Sequence, residues 1–468
     1  LADQLAMHFF HAGNYEKAWT YSRTAGDRAR ARYAHVEAIE FLERALDAAG
    51  RLGGVAPAAQ VASVYEQLGD VRDMAGLSTE AAEAYRHGRR FASGDPVVLA
   101  RLMFKEGSIA QRIGKFSASL RLLSRGRSVL DGTSGADADA ARSRLATRYG
   151  FGKYLQGKYH EAMRWGTIGA REAARAGDRD AVAYAYNTVH VAHMHARQVE
   201  EQPFGELALA IYEELGDLRM QGHCLNNLAI GAMQDGRWAL CADLLHRAAD
   251  LFRRVGDTAN EANAVYNRAD LLNRQGRFTE VEPLLASALR AAHAVDDHHL
   301  VALLLRERGR MLSGVGRWDE ALTVFNDART RLTSLGAPQD VIGLDGALAE
   351  CLLLSGRSNE AATVVTGALA RARALRANSL IAPLLRIQGI GLLAAGRREE
   401  ARSVLEGGLR SPAGADGQQE IALMMMALAQ LSDEQEASSA SALRRRSREI
   451  LDRLAVVEVP TARLLISC

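Results

Sequence analysis

The chain has 468 residues, 48% of them hydrophobic and 24% charged, with only 8 prolines, a composition that forms a core and disfavours disorder. Its formal net charge of +2 gives no bulk attraction for nucleic acid or an anionic membrane, and no apolar run approaches the ~20 residues a membrane span requires. The four cysteines, Cys224, Cys241, Cys351 and Cys468, form no CxxC pair and fit a reducing cytoplasm, Cys241 and Cys351 reading as small core residues. Arginine greatly outnumbers lysine and alanine is abundant, which points to a GC-rich bacterial genome.

From the N-terminus, a helical pattern is already running at Leu1, with neither an initiator methionine nor a signal peptide, so the chain is expected to be a piece of something longer. A first turn follows at Gly13-Asn14-Tyr15-Glu16-Lys17-Ala18, with altered copies at Ala34 to Ala38 and at Gly76 to Ala81. The same turn returns at Gly114-Lys115-Phe116 and at Gly157 to Ala162. Near Arg197-Gln198-Val199 it loses its glycine and is followed by Pro203, which makes this the least regular joint and a candidate bend. Beyond it the pattern becomes strict: glycine stands at 236, 276, 316, 356 and 396, each followed by arginine. These changes divide the chain into irregular hairpins over 1–92, drifting repeats over 93–202, regular repeats over 203–410, and capping helices with a tail over 411–468.

A period of forty residues held over five cycles is the mark of stacked helical hairpins. Each glycine ends a helix, because a residue without Cβ takes the left-handed conformation cheaply. Half a period away stand Gly177-Asp178, Gly216-Asp217 and Gly256-Asp257, with Asp297 in step and Gly336-Ala337 after it. Aspartate there reads as a helix N-cap. Seven residues before the turn glycine the side chains are small (Ala229, Ala269, Gly309, Ala349, Gly389), as they are twelve after it (Ala248, Ala288, Ala328, Ala368, Gly408). Small residues let the helices of a hairpin approach closely, while Leu245, Leu285, Phe325 and Leu405 fill the next hole. The aromatic of the turn, such as Tyr15, Phe116, Tyr159, Trp238, Phe278 or Trp318, is expected to cap the hairpin core.

These small, aromatic and alanine positions resemble those of the tetratricopeptide repeat over nearly the whole chain. The resemblance implies an all-α right-handed superhelix of about eleven stacked helical hairpins, with helices longer than the usual repeat has. The opening, Leu1 to Ala18 followed by Thr24 to Tyr33 and Glu37 to Leu46, resembles the segment after the ATPase module in two bacterial families. These are the large ATP-binding regulators related to the maltose activator and the multidomain adenylate cyclases. The chain carries neither an ATPase nor a cyclase signature, so neither activity transfers to any residue of it.

Several weaker patterns do not rise to sites. Gly107 to Lys115 has six residues between its glycines where a phosphate-binding loop needs four. His190, His193, His195 and His223 lack the cysteine or carboxylate set that would complete a metal site, and Arg444 to Arg448 reads as the charged outer face of a capping helix. No catalytic set, metal site or cofactor is therefore expected.

One constellation stands out. Nine residues before the turn, the inner helices place Lys105, Arg148, Asn187, Asn227, Asn267 and Glu307. In the tetratricopeptide family this offset points into the concave groove, where asparagine grips the main chain of an extended peptide; a carboxamide has the donors and the acceptor to do so. Tyr186, Asn226 and Tyr266 lie one residue before, and His190, Asp270 and Arg310 three after. Lys105 and Arg148 turn one end of the groove basic and favour an acidic stretch. The expected role is that of a non-enzymatic, cytoplasmic sensor arm that binds a protein, an extended peptide or a small-molecule inducer and biases an attached ATPase or other effector. The alternative is a structural or oligomerisation scaffold without a groove ligand.

Overall fold

The computed structural model describes residues 2–32, 34–196, 202–410, 417–431, 437–462 and 464. Among them the regular elements are twenty-three α-helices and one short 3-10 turn, with no strand, so the all-α expectation holds. The helices group into two compact units, Leu1–Leu215 and Gly216–Cys468.

The first unit opens with α1 (Ala2–His11), α2 (Tyr15–Ala31), α3 (His35–Arg51), α4 (Ala58–Met74), α5 (Ser78–Gly88) and α6 (Pro96–Arg112). It continues through α7 (Phe116–Val129), α8 (Ala136–Leu155), α9 (Tyr159–Ala176), α10 (Arg179–Ala196) and α11 (Phe204–Leu215). The irregular joint at Arg197-Gln198-Val199 lies outside the described residues. The second unit holds α12 (Leu218–Gln234), α13 (Trp238–Arg254), α14 (Thr258–Gln275), α15 (Phe278–Ala294), α16 (His298–Gly314) and α17 (Trp318–Ser334). It ends with α18 (Pro338–Leu354), α19 (Ser358–Ala374), α20 (Ile381–Ala394), α21 (Arg398–Arg410), α22 (Gln418–Leu431) and α23 (Ala437–Arg453).

The turn chemistry follows the sequence pattern closely. Gly236, Gly276, Gly316, Gly356 and Gly396 all have φ between 74° and 82°. At the half-period turns, Asp178, Asp217, Asp257 and Asp297 accept the backbone N–H three residues on, at 2.9 to 3.2 Å, each capping the next helix. Asp296 and Arg376 keep the left-handed conformation of this turn although neither is glycine. The core is built by the small residues. Gly309 and Gly389 leave no room for a Cβ beside Phe325 and Leu405, both fully buried. Trp238 and Phe278 are buried as expected, whereas Trp318 stays 37% exposed, its ring lying back over the turn at Gly316 rather than entering the hairpin.

Within the second unit, α12, α14, α16, α18, α20 and α22 touch in succession and form an inner row. The unit is closed by its own end. Gln418 and Gln419 at the start of α22 donate through Nε2 to the carbonyls of Asp235 (3.2 Å) and Arg274 (2.6 Å). After α23 the chain runs extended, and Val457 N–H donates to Gln275 O at 2.8 Å while Gln275 Nε2 donates to Leu454 O at 3.1 Å. Gly276 permits this approach, since a Cβ there would collide with the Glu458 backbone.

Candidate functional site

Counting back from each turn glycine, the inner row carries Tyr266, Arg306, Gly346 and Arg386 at ten residues and Asp270, Arg310 and Glu350 at six. Positions four apart share a helix face, so α14 presents Tyr266 with Asp270 and α16 presents Arg306 with Arg310, while α18 presents Glu350 and α20 presents Arg386. The result is a polar seam in two clusters. Arg306 donates through Nη2 to the Tyr266 hydroxyl (2.5 Å) and through Nε to Glu307 (3.0 Å). Arg310 Nη1 donates to Asp270 (2.6 Å) and Glu307 (3.2 Å), and Arg274 Nε donates to Asp270 at 3.0 Å. On α20, Arg386 joins Glu350 of α18 (3.0 Å) to Glu420 of α22 (2.5 Å).

Buried charges are tolerated only when the oxygens and N–H groups find one another. Burial alone would push the Asp270 carboxyl up, but Arg274, Arg310 and Arg306 outweigh it and hold the group well below the usual carboxylate range. Glu350 is lowered in the same way, by Arg386 against burial. The guanidiniums of Arg306, Arg310 and Arg386 are burdened by burial and held more firmly protonated still by their carboxylates and by Tyr266. Burial raises the Tyr266 hydroxyl to about 12, so it keeps its proton at neutral pH.

The residues expected to line a groove fall in both units. In the second unit Tyr266, Asp270 and Arg310 belong to the seam. Asn267 is 9% exposed and donates to Asn226 Oδ1 at 2.9 Å, while Asn226 and Asn227 are half-buried on α12. The carboxamide of Asn267 is thus already engaged within the chain. In the first unit Asn187 and Tyr186 are half-buried on α10, His190 is buried there, and Tyr186 packs against Phe204 with ring centroids 5.4 Å apart. The basic end is largely compensated: Lys105 is ion-paired with Asp70 (2.7 Å) and Glu66 (2.8 Å), and Arg101 with Glu66 (2.8 Å). Arg148 lies over the rings of Phe104, Phe151 and Tyr184 at 5.7 to 5.9 Å. The ladder of Asn187, Asn227 and Asn267 divides between the two units, since Asn187 belongs to the first.

The groove residues expected from the sequence end at Tyr266 for the ten-residue offset and at Arg310 for the six-residue offset, and so leave out Arg306, Glu350 and Arg386. The signal was available: carrying the ten- and six-residue offsets forward by further periods lands on Glu350 and Arg386. Among the described residues no group of three or more His, Cys, Asp or Glu is arranged to hold a metal ion, and no helix is long and apolar enough to cross a membrane.

Forty-residue helical hairpins with a polar inner row define a helical-repeat scaffold. The model of the tetratricopeptide repeat family matches residues 221–292 and 261–334, within the regular block of the second unit. No curated protein matches its sequence. Among solved structures, a Rap protein complexed with competence and sporulation factor aligns at 12% identity over 85% of this chain and 99% of its own, with a TM-score of 0.52. The apo quorum sensor NprR from B. thuringiensis aligns at 13% identity over 75% of this chain and 98% of its own, with a TM-score of 0.53. A signal transduction ATPase with numerous domains and a tetratricopeptide repeat sensor, from Pyrococcus horikoshii, aligns at 13% identity over 71% of this chain and 53% of its own, with a TM-score of 0.49. At these identities the likeness is one of fold.

Proposed function

We propose that the chain is the partner-binding, regulatory arm of a bacterial signalling protein, taking a peptide or protein segment on its inner helices and biasing an attached effector such as an ATPase. The observation that carries this reading is the polar inner row itself. Outer helices pack through alanine, leucine and phenylalanine, whereas the inner row of the second unit keeps Asn226, Asn227, Tyr266, Arg306 and Arg310 on one partly accessible face. A face of this kind meets a main chain by hydrogen bonds and leaves selectivity to side-chain recesses. The two solved proteins aligned with TM-scores above 0.5 are named for a bound factor and for quorum sensing, which supports the same reading without assigning a ligand to this chain.

The test is to pan a random-sequence peptide library on the full chain, then compare the enriched peptides on wild type and on a variant carrying Asn226→Ala and Asn227→Ala. Each lost neutral hydrogen bond is expected to weaken binding by about 1 kcal/mol with the fold retained. A library that enriches nothing, or peptides that bind the double variant with unchanged affinity, would leave the array as a structural scaffold.

A further inference from the structure

The inner face of α18 breaks the pattern of its neighbours. Where α16 places Arg306 and α20 places Arg386, α18 has Gly346, with Gly343 one turn earlier and Ala347 beside it. Glycine inside a helix lowers its stability, and here it opens a recess of about 280 Å³. One wall is Tyr266, Arg306 and Arg310; the other is Leu380, Leu384 and Ile387. A Cβ on Gly343 would lie 3.6 Å from Arg306 Nη1 and 3.9 Å from Leu380 Cδ2, so this glycine separates the two walls.

The polar wall has spare donors and few spare acceptors. Both oxygens of Asp270, of Glu307 and of Glu350 are taken by arginine or asparagine. In contrast, Arg306 Nη1 and the Nε and Nη2 of Arg310 make no hydrogen bond with any described residue. Tyr266 accepts from Arg306 and retains its own proton to donate. The open Nε–Nη2 fork of Arg310, with Arg306 Nη1 one helical turn away, suits the planar pair of oxygens of a carboxylate.

We infer that this recess is a binding site for a small aliphatic carboxylate, its oxygens on Arg306 and Arg310 and its hydrocarbon against Leu380, Leu384 and Ile387. The same chemistry is offered by a free acid and by the C-terminal residue of a peptide ending in an aliphatic side chain. The inference rests on the reading that the inner row of the second unit is a working surface.

Calorimetric titration of the full chain with isocaproate, isocaproamide, acetate, and Gly-Gly-Leu with a free or an amidated terminus tests it. Isocaproate or the free tripeptide should bind saturably, the amide and acetate at least about tenfold more weakly, because the first loses the charge-assisted bonds and the second the apolar wall. The tighter of isocaproate and the free tripeptide names the source. Gly343→Leu fills the recess and removes a helix-interior glycine, so binding should vanish with the thermal midpoint kept or raised. Arg306→Lys keeps the charge without the guanidinium that places Nη1 in the recess and should weaken binding several-fold. Absence of saturable binding, amides that bind as tightly as acids, acetate that matches isocaproate, or binding unchanged in both variants would overturn the site. No protein partner enters this titration, so it fails or succeeds separately from the peptide panning.

Discussion

Arg386 on α20 reaches back one repeat to Glu350 on α18, with Nη1 3.0 Å from Oε1, while its Nε meets Glu420 on α22 at 2.5 Å. One buried guanidinium thereby ties together three successive inner helices.

Removing that guanidinium should cost far more than a surface ion pair would. Arg386→Met removes the guanidinium that Glu350 and Glu420 share, and the expected loss is about 3–5 kcal/mol. Urea unfolding of the second unit measures it. A loss under about 1 kcal/mol would show that water or rearrangement already compensates these carboxylates.

Acid should weaken the same seam. Asp270 and Glu350 have folded-state values held below those of the unfolded chain, so the stability they contribute is fully present above about pH 5 and is lost as pH falls towards and through their depressed values. Asp345 runs the other way, because burial raises its carboxyl despite Arg329 and Arg371. Thermal midpoints followed from pH 7 towards pH 3 should therefore fall, and fall less steeply in Asp270→Asn than in wild type. Parallel slopes for the two proteins would remove Asp270 from the explanation.

Two half-period turns hold a side chain in a conformation made for glycine. Gly216, Gly256 and Gly336 have φ of 65° to 71°, and the positions in step between and after them are Asp296 at 56° and Arg376 at 54°. Arg376→Gly should stabilise the chain by up to about 1 kcal/mol. Asp296→Gly should gain less, since aspartate tolerates the left-handed region better than arginine does. Scanning calorimetry on the two variants decides the ranking; destabilisation by Arg376→Gly would contradict it.

Alanine at two turn glycines separates backbone strain from tertiary contact. Gly356→Ala meets no neighbour and should cost only the left-handed conformation, about 1–2 kcal/mol. At Gly276 the new Cβ also collides with the Glu458 backbone, so the segment after α23 should be displaced. The readout is protease sensitivity and hydrogen exchange at Val457, whose N–H is bound to Gln275 O in the wild type. Unchanged protection at Val457 in Gly276→Ala would show that the segment is held by other contacts.

The sequence by itself determined the hairpins. Gly276 and Gly316 end helices because few other residues take a positive φ cheaply, Asp257 and Asp297 start the next ones, and Gly309 opposite Phe325 sets how closely two helices approach. All of these act over fewer than forty residues and repeat, so periodicity reports them. Only the tertiary structure decided which polar side chains are spent inside the chain. Asn267 and Lys105 read as groove residues from their offset alone, yet Asn267 is bonded to Asn226 and Lys105 to Asp70, because the neighbouring inner helix supplies a partner at that height. The recess beside Gly343 and the return of Val457 to Gln275 were equally invisible, since each joins residues whose nearness depends on how several repeats stack. An offset fixes which way a side chain points; what it meets there is set by the packing of the next helix.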